Sequence, residues 1–167
     1  MQKTNSKGFT LIELLVVIAI IGLLSTLAVV ALNSARQKSR DSKRVADVKQ
    51  MQTALELYYA DKNGYPVVSA AQILGVTPNL TLSSGNWAAT ATGTTYMGLV
   101  PKAPTPEDNG CSATAGGNPY TYTSVTSAGV DDFVTTPAAN YKLTFCLGGA
   151  VGDLGSGVRT ASPSGIQ

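Results

Sequence analysis

The chain has no histidine and only two cysteines in 167 residues. Those absences exclude whole classes of chemistry. Without histidine there is no Ser-His-Asp triad, no Cys-His protease pair and no zinc hydrolase centre of the usual kind. Cys111 and Cys146 are too far apart for a C-x-x-C redox or zinc pattern. Charge is scarce as well: 13% of residues are charged, about half the usual share. Twelve Lys and Arg against ten Asp and Glu leave a net charge of +2, too little to argue for nucleic-acid binding. Nothing in the sequence marks a catalytic residue, a cofactor or a metal site.

Two further absences point to what is present. No proline occurs before Pro66, and no charge interrupts the 22 residues from Leu14 to Ala35. A helix of that length is about 33 Å long, close to the ~30 Å hydrocarbon core of a bilayer. Core helices of soluble domains rarely stay uncharged for so long, so this segment reads as a membrane span. From Arg36 the pattern changes. Val45, Val48, Met51, Leu55 and Tyr58 recur at steps of three and four, one apolar stripe of an amphipathic helix, with Lys43, Asp47, Lys49 and Glu56 off the stripe. Asn63-Gly64 and Pro66 mark the stop. If unbroken, the helix from about Phe9 to Lys62 is roughly 80 Å long. The alternative is two helices hinged near Asn33-Ser34.

Beyond Gly64 the chain is rich in Gly, Thr, Ser, Pro and Ala and reads as mostly β. "NYKLTFCL" (140–147) alternates as a half-buried antiparallel strand, with Tyr141, Leu143, Phe145 and Leu147 on one face. "YTYTSV" (120–125) is a second strand; "TYMGLV" (95–100) and "DFVTT" (132–136) are weaker ones. Ser69 to Gln72 has the pattern of a capping box opening a short helix that ends at Gly75. Gly148 to Gln167 reads as extended loop or disorder. Three or four short strands make a thin core, so the sheet is expected to pack on the stripe of the long helix. The fold class is therefore α+β. If the β-rich part lies outside the cytoplasm, Cys111 and Cys146 are expected to pair.

Orientation is ambiguous from charge. Lys3 and Lys7 precede the span; Arg36, Lys38, Arg40, Lys43 and Arg44 follow it. Counting these alone puts the C-terminal side in the cytoplasm, whereas the cysteines and the β composition put it outside. Lipid headgroups or neighbouring subunits, rather than nucleic acid, are expected to cover the Arg36–Arg44 cluster.

One residue resists this account. Glu13 sits within the apolar run, where a lone carboxylate costs a few kcal/mol in lipid. Gly8-Phe9-Thr10-Leu11-Ile12-Glu13, after a short basic leader and before an apolar helix, resembles the class III signal of type IV prepilins and pseudopilins. The resemblance continues to "YYADKNGYP" (58–66), covers about the first 66 residues and is architectural beyond that. It implies cleavage between Gly8 and Phe9 by a membrane prepilin peptidase that then methylates the Phe9 amine. It also implies that Glu13 pairs with the N-terminal amine of a neighbouring subunit during assembly; the alternative is a pair with the amine of its own chain.

The implied organisation is a leader (1–8), a transmembrane and filament-core helix (9–35), the amphipathic half of the same helix (36–63) and an extracytoplasmic β-rich domain with a loop-rich tail (64–167). The implied protein is no enzyme. It is a pilus-like filament subunit whose partners are identical copies, the peptidase, the inner-membrane assembly machinery and the bilayer. The implied location is a single-pass inner membrane as precursor, and a surface or periplasmic filament once assembled. The alternatives are a pseudopilin of a type II secretion system and a membrane-anchored binding domain that never polymerises. Many major pseudopilins use calcium; Asp131-Asp132 reads rather as a solvated turn. Where many pilins carry a proline in the apolar half, this chain has Val30, with Gly22 the only weak point.

Overall fold

The computed structural model describes residues 8–108, 110–111, 118–134 and 137–167. It contains one long helix, α1 (Leu11–Lys62), followed by β1 (Gln72–Ile73), β2 (Thr81–Ser83), β3 (Asn86–Ala88), β4 (Thr95–Met97), β5 (Thr121–Val125), β6 (Asn140–Leu147), β7 (Gly157–Ser162) and β8 (Gly165–Ile166). All 52 residues of α1 are helical, without a hinge at Asn33-Ser34. The chain divides into two units, one up to Arg36 and one from Gln37 to Gln167.

In the first unit the residues from Gly8 to Arg36 are all exposed. A helix that is apolar all round has no face to turn inward, so its burial has to come from lipid or other chains.

The second unit has an ordinary core. Five antiparallel strands run in the order β1-β5-β6-β7-β8, and a smaller sheet runs β3-β2-β4. The helical stripe meets the inner faces of these strands: Val48, Met51, Ala54 and Leu55 are buried with Tyr122, Tyr141, Leu143, Phe145 and Leu147, and Val45 and Tyr58 pack at the margin. β6 alternates as its sequence suggests until Cys146, which is buried too. The helix ends where expected. Asn63 adopts φ 55°, and the chain then bridges Tyr65 to Ala138 through two backbone hydrogen bonds of 3.0 and 3.3 Å. Gly64 is needed there, because a β-carbon would fall 2.1 Å from Pro137 Cβ.

Three expectations are corrected. Ser69 to Gln72 opens no helix: Gln72 and Ile73 form β1, paired with Tyr122 and Thr121. Backbone pairing with a sheet edge, together with a Gln72–Asn79 side-chain bond of 3.0 Å, outweighs a capping pattern with only about one turn to cap. The stretch from 148 is not a loose tail, since β7 pairs with β6 over five residues and β8 with β7. Its glycines and serines hide a strand held by backbone bonds rather than by side-chain pattern. Finally, 132–134 forms no strand; Asp131 makes one bridge to Val125, and Thr135 and Thr136 lie outside the described residues.

Candidate assembly helix and its charged junction

Helix α1 begins with a reciprocal cap. Thr10 is the N-cap residue, its carbonyl accepting from Leu14 N at 3.3 Å. Its hydroxyl accepts from Glu13 N at 3.2 Å. In return, Glu13 Oε2 accepts from Thr10 N at 2.8 Å and from Thr10 Oγ1 at 2.6 Å. This is the capping box T-x-x-E, in which each side chain satisfies backbone groups that the first helical turn leaves open. The carboxylate also lies at the positive end of the helix dipole. Within a single chain, then, Glu13 has a local reason to be where it is. Among the described residues Glu13 Oε1 has no hydrogen-bond partner, leaving one oxygen for a cation.

Just ahead of the cap, Gly8 and Phe9 are both exposed, Phe9 at 83%. A β-carbon on Gly8 would meet nothing within 4 Å, so no contact of this chain requires glycine there. The leader residues Lys3 and Lys7 lie outside the described residues.

The apolar half of α1 exposes Leu11, Ile12, Leu14, Leu15, Ile18 and many more out to Leu32, far more than the few hundred square ångströms a soluble monomer tolerates. Its two hydroxyls are satisfied inside the helix: Ser25 Oγ donates to Ile21 O at 2.7 Å and Thr26 Oγ1 to Leu23 O at 2.8 Å. Apart from Glu13, no side-chain polar group of that stretch is left without a partner, which suits it to a bilayer.

The basic cluster Arg36–Arg44 departs from expectation. Arg36, Lys38 and Lys43 are exposed, but Arg40 is half-buried and Arg44 fully buried. Neither lipid nor a neighbour covers Arg44; its own domain does. Arg44 Nη1 donates to Asp41 Oδ1 and Asp108 Oδ2, both at 2.6 Å, and Nη2 to Asn118 Oδ1 at 3.2 Å and Pro104 O at 3.3 Å. Arg40 makes a two-pronged pair with Asp108, one prong at 3.2 Å. Asp41 in turn accepts from the amides of Gly148 and Gly149 at 3.0 and 2.9 Å. A buried charge persists when it is paired and hydrogen-bonded in this way. The hydrogen bond from Arg40 holds the Asp108 carboxyl below the usual aspartate range, and Arg44 adds to it. Asp47, although off the apolar stripe, is buried and accepts from Tyr120 OH at 2.8 Å. Burial and that carboxylate push the Tyr120 hydroxyl well up. Cys111 and Cys146 form a disulfide beside this cluster, with Cα atoms 5.5 Å apart.

Comparison with known proteins bears on the N-terminal segment. The family profile of the prokaryotic N-terminal methylation motif matches residues 3–29. Over its N-terminal part the chain carries that motif and is similar to type II secretion and type IV pilus proteins. The type II secretion system core protein G of Aeromonas hydrophila is 42% identical over 66 residues, 40% of this chain and 46% of that protein. The type IV wide pilus major component PilA4 of Thermus thermophilus is 43% identical over 69 residues, 41% and 53% of the two chains. The fimbrial protein EcpC of Eikenella corrodens is 39% identical over 79 residues, 47% and 52%. The chain thus spans about half the length of the curated relatives it matches. No solved structure matches it significantly. The long helix on antiparallel sheets is the pilin-like α+β architecture.

Two functional features escaped the sequence reading. The Thr10 cap was signalled by T-x-x-E ahead of an apolar run. The Arg44–Asp108 pair carried no local signal, because its partners are 64 residues apart.

Proposed function

We propose that this chain is a structural subunit of a type IV pilus-like filament and not an enzyme. It enters the inner membrane as a prepilin, is cut between Gly8 and Phe9, is methylated on the Phe9 amine and polymerises through its N-terminal helix. The observation that carries this reading is a helix of the methylation-motif class, exposed along its whole apolar half, with one carboxylate four residues after Phe9. Cleavage creates a cation on Phe9, and methylation preserves its charge. Glu13, with Oε1 unspent, pairs with that amine on a neighbouring copy and sets the axial register. Gly22, Ser25 and Ala28 let helices approach closely. Identical subunits joined head to tail without closure build a helical filament.

The peptidase, the inner-membrane assembly machinery and the bilayer are the remaining partners. Residues 1–8 are the leader, 9–35 the span and filament core, 36–63 the amphipathic half, and 64–167 the domain outside the cytoplasm. Similarity to type II secretion core protein G supports a second reading, a pseudopilus subunit of a secretion system.

Intact-mass and N-terminal analysis of the protein from cells with an active processing peptidase tests the proposal. The expected product begins at methylated Phe9. A chain that keeps residues 1–8 in such cells refutes it. Deleting the gene then separates the two readings: a pilus subunit takes surface filaments with it, and a pseudopilin takes export of a folded cargo protein.

A further inference from the structure

We propose that the Cys111–Cys146 disulfide is the latch of an oxidation-gated charge cluster. Closing it delivers Asp108 and the Gly148–Gly149 amides to Arg40, Asp41 and Arg44, and only the oxidised chain fixes that face of α1 on the domain. The idea rests on the second unit alone and is independent of the filament reading.

Both arms leaving the disulfide end on the same two helical turns. On one arm, Cys111 N donates to Asp108 O at 2.9 Å, so cysteine and aspartate share a turn. Asp108 then takes both arginines. On the other arm, Cys146 closes the buried end of β6 with Leu147, and the next two amides cap Asp41. The arms also touch each other: a β-carbon on Gly148 would fall 2.4 Å from Asp108 Cβ, so glycine is what lets the two backbones close.

Residues 101–108 belong to no helix or strand. Ladder hydrogen bonds therefore do not hold Asp108 in place; the disulfide turn and the arginines do. If Asp108 leaves, two guanidiniums face the single carboxylate of Asp41, and Arg44 is fully buried. An uncompensated buried charge is strongly unfavourable, so the cluster loosens together with the helix face that carries it.

The chemistry requires an organic or protein disulfide as oxidant. The Cys111 thiolate attacks one donor sulfur and expels a thiolate. Attack by the Cys146 thiolate on the mixed disulfide expels the second. The donor leaves as a dithiol carrying both protons, two electrons having passed from protein to donor. A chain that has not met such a donor keeps its amphipathic half loosely attached.

Linkage makes the test reciprocal: whatever the disulfide contributes to the cluster, the cluster contributes to the disulfide. Full-length protein in detergent micelles is equilibrated in dithiothreitol redox buffers, and free thiols are counted by alkylation and mass. Asp108→Asn is expected to lower the effective concentration of the thiol pair by about tenfold or more. Asp153→Asn, an exposed acid elsewhere, leaves it unchanged. Leu82→Ala in β2 reports the effect of general destabilisation. Hydrogen exchange of the reduced wild type should show faster exchange over residues 40–48 than the oxidised form, with residues 81–88 unchanged. An Asp108→Asn shift no larger than that of Leu82→Ala, or equal protection of residues 40–48 in both redox states, overturns the proposal.

Discussion

Thr10 and Glu13 hold each other at the head of α1: the threonine amide and hydroxyl both donate to Glu13 Oε2, and the Glu13 amide donates back to Thr10 Oγ1. The cap is one function of the carboxylate; under the proposed filament reading it has a second, meeting a cation on another copy, and mutation can separate the two. Glu13→Ala removes both. Surface filaments, or the pseudopilus equivalent, should disappear from electron micrographs, while a membrane-anchored domain that never polymerises would be indifferent.

Thr10→Ala removes only the cap. Its expected cost is about 1 kcal/mol at the helix start, seen as faster amide exchange over residues 11–14 in micelles. Filament yield should fall less than with Glu13→Ala, and Thr10→Ser should restore both. If Thr10→Ala leaves exchange at the helix start unchanged, the cap is not contributing.

How much of this could be read from the sequence depended on whether the signal was local. The helical stripe from Val45 to Tyr58, the stop at Asn63-Gly64 and the alternation of β6 each lie within a few residues, and all three match the structure. The β2–β3 hairpin was invisible because Ser84-Gly85 is a weak turn signal and the strands have three residues each. β7 was hidden for a related reason: its order comes from pairing with β6, which composition does not report. At the candidate site, Gly8, Phe9 and Glu13 stood out because the motif is contiguous. The reach of Arg44 across to Asp108 and Asn118 is a property of the folded domain alone.

Gly64 gives a sharp packing test. The helix stop sits against Pro137 and Ala138 with no room for a methyl group. Gly64→Ala should cost about 1–3 kcal/mol through forced displacement of that contact, measured as a lower denaturant midpoint at unchanged slope. Gly22→Ala, where a β-carbon meets open space, should leave the same midpoint unmoved. A neutral Gly64→Ala would mean that the Tyr65–Ala138 bridge yields freely.

Acid should expose the charge cluster. The Asp108 carboxyl titrates below its ordinary value chiefly because Arg40 hydrogen-bonds its charged form; burial opposes this, and Arg44 adds to the lowering. A carboxyl lowered in the folded state contributes stability at every pH above its unfolded value, about 3.9, and loses it as pH falls through the folded value. The difference in melting temperature between wild type and Asp108→Asn should therefore be full and flat from pH 7 to about pH 5. Breaking a buried pair is worth about 3 kcal/mol there. It should shrink below about pH 4, where the unfolded chain binds a proton that the folded carboxyl resists. Melting curves of both proteins at pH 7, 5 and 3 check this. A difference that persists undiminished from pH 5 to pH 3 would show that the charged form of Asp108 is not what the fold favours.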